Sequence, residues 1–452
     1  MVLTVINVNR FLQALLLVCV CAAAVLRADE AADVNSSVYI PKEPTVTRSE
    51  SELLAQVGTL MERNPEKAAE LLNKRITSRS SAALDFALAA VYIHQEDLEQ
   101  AAAGYRNALE KLPEFARARM NLASVYLRLD RPAQAAAELK RVLLSGRNRA
   151  ETLSLLGYAY LKDNRAVHAE TAYRQAIILD PDNDDVLLGL AESLLVQERY
   201  REAASLLDNL LEKKPYDSRL WMIRSNIYIT LEQTHQAIAA LACAERLGVA
   251  SPEAHATLGD LYLNSNQPHD ALKAYEKAFT SKVPLSPARL LRAVQGFLMA
   301  EHLEQAEALL GKAALLIRDK PESFSAEQHN ELRYARARFY DLKGKRDKAV
   351  SAYEGLLLKD PLNGKALIAL GDLKRSEGSL EEALILYERA QRIKGKEAEA
   401  LVRQSMIAVD RGNYKEAVRL LESAEVIQPD PVNARFLKQV KRLNSLRNDE
   451  KK

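Results

Sequence analysis

Apolar residues in this chain recur three and four apart in helix-length runs, and short polar breaks cut the runs at a fixed pitch. That spacing is one stripe of an amphipathic helix, so each run predicts a helix and each break a turn. The breaks include Gln95-Glu96-Asp97, Leu129-Asp130-Arg131, Asp163-Asn164-Arg165, Glu377-Gly378-Ser379 and Arg411-Gly412-Asn413. Just past them stand alanines at 101, 135, 169, 203, 237 and 271, each 34 residues after the last. The beat comes one residue late at Ala306 and nine late at Ala349, then resumes at 34 for Ala383 and Ala417. A fixed period of this length predicts a solenoid of stacked units.

Each unit reads as two helices joined by a tight polar turn. Pairs such as Leu88-Ala89, Leu122-Ala123, Leu156-Gly157, Leu190-Ala191, Leu258-Gly259 and Leu370-Gly371 are expected to open the first helix. Tyr92, Tyr126, Tyr160, Tyr228, Tyr262 and Tyr340 follow those pairs or their equivalents. In the second helix, Tyr105, Tyr173, Tyr275, Tyr353 and Tyr387 stand three residues before a small or apolar position. Small residues let two helices approach closely, and Pro113, Pro181, Pro215, Pro361 and Pro429 mark where the second helix must end.

These positions resemble the tetratricopeptide repeat family over about 82–431. The run Leu153, Leu156-Gly157, Tyr160, Ala169, Tyr173, Ala176, Pro181 matches nearly every signature place, and Trp221 is one instance of the family's tryptophan. Arg224, Arg292, Arg336 and Gln404 depart from it, standing at or beside a place usually held by leucine. The resemblance implies an all-α, right-handed α-solenoid of about ten to eleven helix-turn-helix repeats, helix A lining a concave groove. A C-terminal capping helix completes the expected fold, because an open solenoid end leaves an apolar face in water.

The expected organisation follows. Residues 1–28 form a signal peptide or N-terminal anchor: 11–26 are apolar, follow Arg10, and are short for a bilayer core of ~30 Å. Residues 29–48 are a flexible polar linker, and 49–81 a degenerate N-terminal repeat or cap. Two blocks, 82–320 and 330–431, flank an insertion at 321–329, where Ser325 and Gln328 form a capping-box pattern that starts a helix at Ala326. Residues 432–448 are a basic amphipathic capping helix with Phe436, Leu437, Val440, Leu443 and Leu446 on one side; 449–452 are a charged tail. The N-terminus points to export, periplasmic or secreted, with membrane anchoring through 11–26 as the alternative.

Charge and chemistry narrow the function. Without Arg10 and Arg27 the basic and acidic residues balance at 61 each, so no nucleic-acid partner is expected. The seven histidines lie far apart with no metal-ligand spacing, and no phosphate loop or nucleophile motif occurs. No catalytic residue, cofactor or metal is expected. Cys243, in an apolar segment of a second helix, reads as a buried small hydrophobe.

In the family, the second, fifth, ninth, twelfth and thirteenth residues of a repeat tend to face the groove. With repeats starting at Ala82, Ala116, Ala150, Asp184 and Ser218, the fifth and twelfth places are apolar except Ser154. Phe86, Ile93, Met120, Leu127, Leu161, Leu188, Leu195, Met222 and Ile229, with Tyr158, are therefore the candidate partner-binding groove. Ala90, Ser124, Tyr158 and Glu192 occupy the asparagine places of the family's carboxylate clamp, which is thus missing. The expected partner is a protein or peptide with an apolar or amphipathic segment; the same side chains packing between helices is the other reading. From Asn330 on the lining turns charged, through Tyr334, Arg338, Asp341, Asp372 and Arg375. The function expected is an exported, non-catalytic interaction scaffold, in a setting that the resemblance places in bacterial envelope, secretion or polysaccharide-export assemblies. A self-assembling structural protein and an enzyme with a groove-borne site are the rivals.

Overall fold

The computed structural model describes residues 43–145, 149–280 and 285–449. The signal, the cleavage site and most of the linker lie outside them. Among the described residues there are 23 α-helices and no strand, and consecutive helices pack in pairs as a tetratricopeptide-like solenoid. The chain divides into two compact units, Met1–Pro215 and Tyr216–Lys452.

In the first unit a hairpin, α1 (Arg48–Met61) and α2 (Pro65–Asn73), precedes four repeats. These are α3 (Ala82–His94) with α4 (Leu98–Lys111), α5 (Ala116–Arg128) with α6 (Pro132–Leu144), α7 (Ala150–Lys162) with α8 (Ala166–Leu179), and α9 (Asp184–Val196) with α10 (Tyr200–Lys213). The expected repeat starts coincide with the first residues of α3, α5, α7 and α9. The hairpin covers the end of the array: Leu53, Val57, Ala68, Ala69 and Leu72 share a core with Leu84, Leu88 and Val91. Glu50 fastens it by closing a capping box with Thr47 and accepting the Ser81 N–H at 2.8 Å.

The second unit begins with α11 (Ser218–Thr230) and α12 (Thr234–Arg246), α13 (Pro252–Asn264) and α14 (Pro268–Thr280), and α15 (Pro287–Met299) and α16 (Leu303–Asp319). It continues with α17 (Ala326–Leu342) and α18 (Arg346–Lys359), α19 (Gly364–Ser376) and α20 (Leu380–Gln391), and α21 (Glu397–Asp410) and α22 (Tyr414–Ile427), closed by α23 (Pro431–Asp449). The extra residues near 321 are absorbed by lengthening α16 and α17 to 17 residues each around one 3-10 turn, Pro321–Ser323. The Ser325–Gln328 capping box forms. Core packing is continuous there, Leu290, Val294, Phe297 and Leu309 meeting Leu332, Ala335 and Phe339.

The beat has a single physical cause. All ten alanines are the fourth residue of a B helix and all are 0% exposed, because each lies where helices A and B cross. A larger side chain there forces the pair apart. The break supplies the turn: its middle residue is left-handed in every repeat, from Glu96 (φ 61°) to Gly412 (φ 70°), always five before the alanine. The next N–H then reaches back to a helix-A carbonyl, as Asp97 does to Tyr92 at 2.9 Å, closing the helix in a Schellman-type stop. Each expected closing proline stands two residues beyond its helix.

Three expectations change. The Leu-Ala and Leu-Gly pairs lie in the middle of helix A rather than at its start, since the crossing point, where small residues are needed, is central. Gly371 shows why: a Cβ there would sit 2.4 Å from the Tyr387 ring. Cys243 is exposed, on the outer side of α12, because its neighbours Leu241 and Ala244 take the core places. In α23 only Phe436, Leu437 and Val440 pack on the last repeat, while Leu443 and Leu446 run past it and are exposed. Of the departures, Arg292 and Arg336 turn to solvent and Gln404 is buried with a 2.8 Å bond to Gln391. Arg224 lies over the rings of Trp221 and Tyr228 at 5.8 and 5.4 Å.

Candidate functional site

In the first unit, Phe86 and Ile93, Met120 and Leu127, Tyr158 and Leu161, and Leu188 and Leu195 are all half-buried. Core residues on the same helices, such as Leu84, Leu122, Leu155 and Leu194, are almost fully buried. Some candidates also pack sideways. Phe86 meets the Tyr105 ring edge-on at 5.3 Å and the tilted Phe115 ring at 5.0 Å, with the Arg117 guanidinium 5.4 Å above it. The Thr152 hydroxyl, one helix A along, points to the Met120 sulfur at 3.9 Å. In the second unit, Met222 packs against the core around Leu241 and Leu258, and Ile229 is 39% exposed. Tyr158 marks the polar spot of the first-unit face: burial pushes its hydroxyl up to about 12, and the charges of Glu192 and Asp130 add to the rise.

The second unit holds a formed cleft where the sequence turns charged. Its walls are three successive A helices, α17, α19 and α21, and its volume is about 590 Å³. A 34-residue register places Glu331, Lys365 and Glu399 at one level, and Arg338, Asp372 and Met406 at another. Lys365 pairs with Glu331 at 3.2 Å, Lys396 with Glu399 at 2.6 Å, and Arg338 with Asp341 at 2.7 Å. Asp372 accepts from the buried Tyr387 hydroxyl at 2.7 Å and pairs with Arg403 at 2.9 Å. A second hollow of about 350 Å³ continues along α19 and α21, with Arg375 forked onto Asp410 at 2.7 and 3.1 Å and touching the Met406 sulfur.

All five charged or aromatic residues expected to line this region do so. Arg346, Lys365, Lys396, Glu399, Arg403 and Asp410 are the additions; carrying the 34-residue register forward from Glu331 and Ala335 finds Lys365, Glu399 and Arg403. The rest approach from turns and helix ends that the register does not predict. Five cations against three acids line the larger cleft. Arg346 has no ion-pair partner among the described residues. The surface is therefore rich in N–H donors, and its carboxylates are already satisfied. Among the described residues no group of His, Cys, Asp and Glu could hold a metal ion.

Fold and surface together define a repeat protein whose A-helix faces are open for contact. Family models described as tetratricopeptide repeat match residues 92–157 and 160–227, 252–282, and 334–398, together just over half of the sequence. The chain belongs to the tetratricopeptide repeat family. No curated protein sequence matches it. Among solved structures it is similar to a tetratricopeptide repeat protein from Parabacteroides merdae, 19% identical, TM-score 0.42, covering 52% of this chain and 94% of that one. It is also similar to PilW, a type IV pilus biogenesis factor (17%, TM-score 0.38, 44% and 93%), and to YrrB, a tetratricopeptide repeat protein with an unusual peptide-binding site (21%, TM-score 0.34, 40% and 91%). At these identities the likeness extends to the repeat fold and no further.

Proposed function

We propose that this chain is an exported, non-catalytic scaffold that holds a partner polypeptide along its A-helix faces, in the periplasm or outside the cell, within an envelope or secretion assembly. The observation that carries the interaction role is a row of half-buried apolar side chains at the fifth and twelfth places of helix A through four consecutive repeats, broken only by the buried Ser154, on a frame whose core is otherwise closed. Such a row offers apolar anchors to an amphipathic segment. Export rests on the apolar run at 11–26, outside the described residues; no helix among the described residues is long and apolar enough to cross a membrane.

A photo-crosslinking side chain at Leu188 tests the reading in cells, with the exposed helix-B position Arg201 as the control. Position 188 should yield a discrete crosslinked polypeptide and 201 none. Equal yields at the two positions, or none at 188 and at Leu127, would remove the groove from the account.

A further inference from the structure

Three repeats of the second unit carry a tyrosine on helix B and a charged residue fifteen places earlier on helix A, and they differ in one member. Tyr275 donates to Asp260 at 2.5 Å, and Tyr387 donates to Asp372 at 2.7 Å. Each carboxylate also accepts from an arginine on the following helix A, Arg289 on Asp260 and Arg403 on Asp372. In the repeat of α17 and α18 the earlier place is held by Arg338. Tyr353 is 0% exposed there, and its hydroxyl has no hydrogen-bond partner. One repeat before Arg403 stands Ala369, so nothing reaches across from α19. Arg338 donates through Nη1 to Asp341 on its own helix and lies against the Tyr353 hydroxyl, which leaves others of its five donors free.

Arg338 thus lines the cleft above the buried Tyr353 hydroxyl, at the spot where the sister repeats keep a carboxylate. We propose that an acidic side chain of a partner polypeptide fills this spot, its carboxylate standing in for the Asp260 and Asp372 carboxylates of the sister repeats. The guanidinium fork of Arg338 suits two-point binding of a carboxylate. Lys365, half-exposed beside the Tyr334 ring, and the unpaired Arg346 extend the same preference along the cleft. Arg403 is held to Asp372 through Nε and contributes its remaining donors. An acidic stretch, rather than a single charge, is what the surplus of cations accommodates.

The inference rests on the reading of the chain as a polypeptide-binding scaffold but uses a different surface. A chain that crosslinks at position 188 yet ignores acidic peptides would sink the cleft alone. The test titrates the full chain with three fluorescent peptides in a glycine-serine frame. One carries glutamates and blocked ends, the second is its glutamine twin, and the third is that twin with a free C-terminal carboxylate. Only the first should bind, and more weakly as salt rises.

Arg338→Asp should cut that binding roughly tenfold or more while keeping or raising the melting temperature, because it restores the sister-repeat pattern under Tyr353. Arg318→Asp, the same charge change on an exposed residue of α16, should leave binding unchanged, and Arg338→Gln should weaken it without adding an acid. Equal binding of the glutamine peptide, binding of the free-ended peptide alone, or equal losses in Arg338→Asp and Arg318→Asp would each overturn the proposal. A lower melting temperature for Arg338→Asp would overturn the comparison it is built on.

Discussion

The helix-A faces of residues 82–196 and of residues 326–410 stand on the same frame and carry opposite chemistry. In the first, fifth and twelfth places read Phe86 and Ile93, Met120 and Leu127, Ser154 and Leu161, Leu188 and Leu195. In the second, one level reads Glu331, Lys365 and Glu399, and the walls hold Arg338, Asp372 and Arg403. The frame does not share this freedom. Ala101, Ala135, Ala169 and Ala203 are as completely buried as Ala349, Ala383 and Ala417. Where two helices cross, shape leaves one solution; on the open face the fold asks almost nothing, so the face is free to be set by what it meets.

The largest expected effect breaks the frame in both regions alike. Ala169→Tyr and Ala383→Tyr each insert a ring where no space exists and should each cost on the order of 1–3 kcal/mol or more. Because each repeat packs mainly on its neighbours, the loosening should stay local. Hydrogen exchange should rise around 150–183 for the first variant and around 364–393 for the second. Tolerance of one and not the other would mean that the two regions do not share a frame after all.

That division also explains what could be read from the sequence. The helix pairs, the turns, the closing prolines and the Ser325–Gln328 start follow from local rules that repeat, and repetition averages out their noise. The middle residue of each quoted break is the left-handed one. The site was less legible. Phe86 and Met222 look alike in register, yet one packs against the Tyr105 and Phe115 rings and the other against the core at Leu241. The charged lining is visible as composition, and the register finds Lys365 and Arg403, but Arg346, Lys396 and Asp410 enter from turns and helix ends that no repeat pattern marks. Cys243 failed for a simpler reason: residue type predicts burial only on average, and helix phase decides it.

A smaller effect separates the regions at their turns. Seven left-handed turn residues, Glu96 to Glu301, are Glu, Asp or Asn, whereas the last three turns use Gly344, Gly378 and Gly412. A side chain at positive φ costs roughly 1–2 kcal/mol, against about 0.5–1 kcal/mol of chain entropy for glycine. Glu198→Gly should therefore stabilise by about 0.5–1 kcal/mol, and Gly378→Glu should destabilise by about as much. A Cβ at Gly378 meets nothing within 4 Å, so its cost is backbone conformation alone. Thermal melts giving both changes the same sign would show that contacts, not φ, govern these turns.

The smallest effect is acid sensitivity, and it should be felt around Glu170 in the first unit before it is felt around Glu416 in the second. Burial pushes the Glu170 carboxyl up, but hydrogen bonds from Gln197, Arg174 and Arg199 together outweigh it and hold it below its ordinary 4.5. Arg199 precedes α10 and Gln197 follows α9, so this carboxylate on α8 ties one repeat to the next at 2.7 and 2.9 Å. A lowered pKa means that the folded state binds the proton less readily than the unfolded one. Its stabilisation is therefore complete above about pH 4.5 and disappears as pH falls through the lower folded value. Glu416 is lowered chiefly by its hydrogen bond from Arg419, three residues along the same helix, so protonating it unlinks no repeats. Acidification below about pH 4.5 should thus speed hydrogen exchange at 166–199 before 414–427. Glu170→Gln should make the first segment's exchange nearly independent of pH in that range, after correction for intrinsic rates. Earlier loosening at 414–427 would show that a pair within one helix matters more to this solenoid than a tie between two repeats.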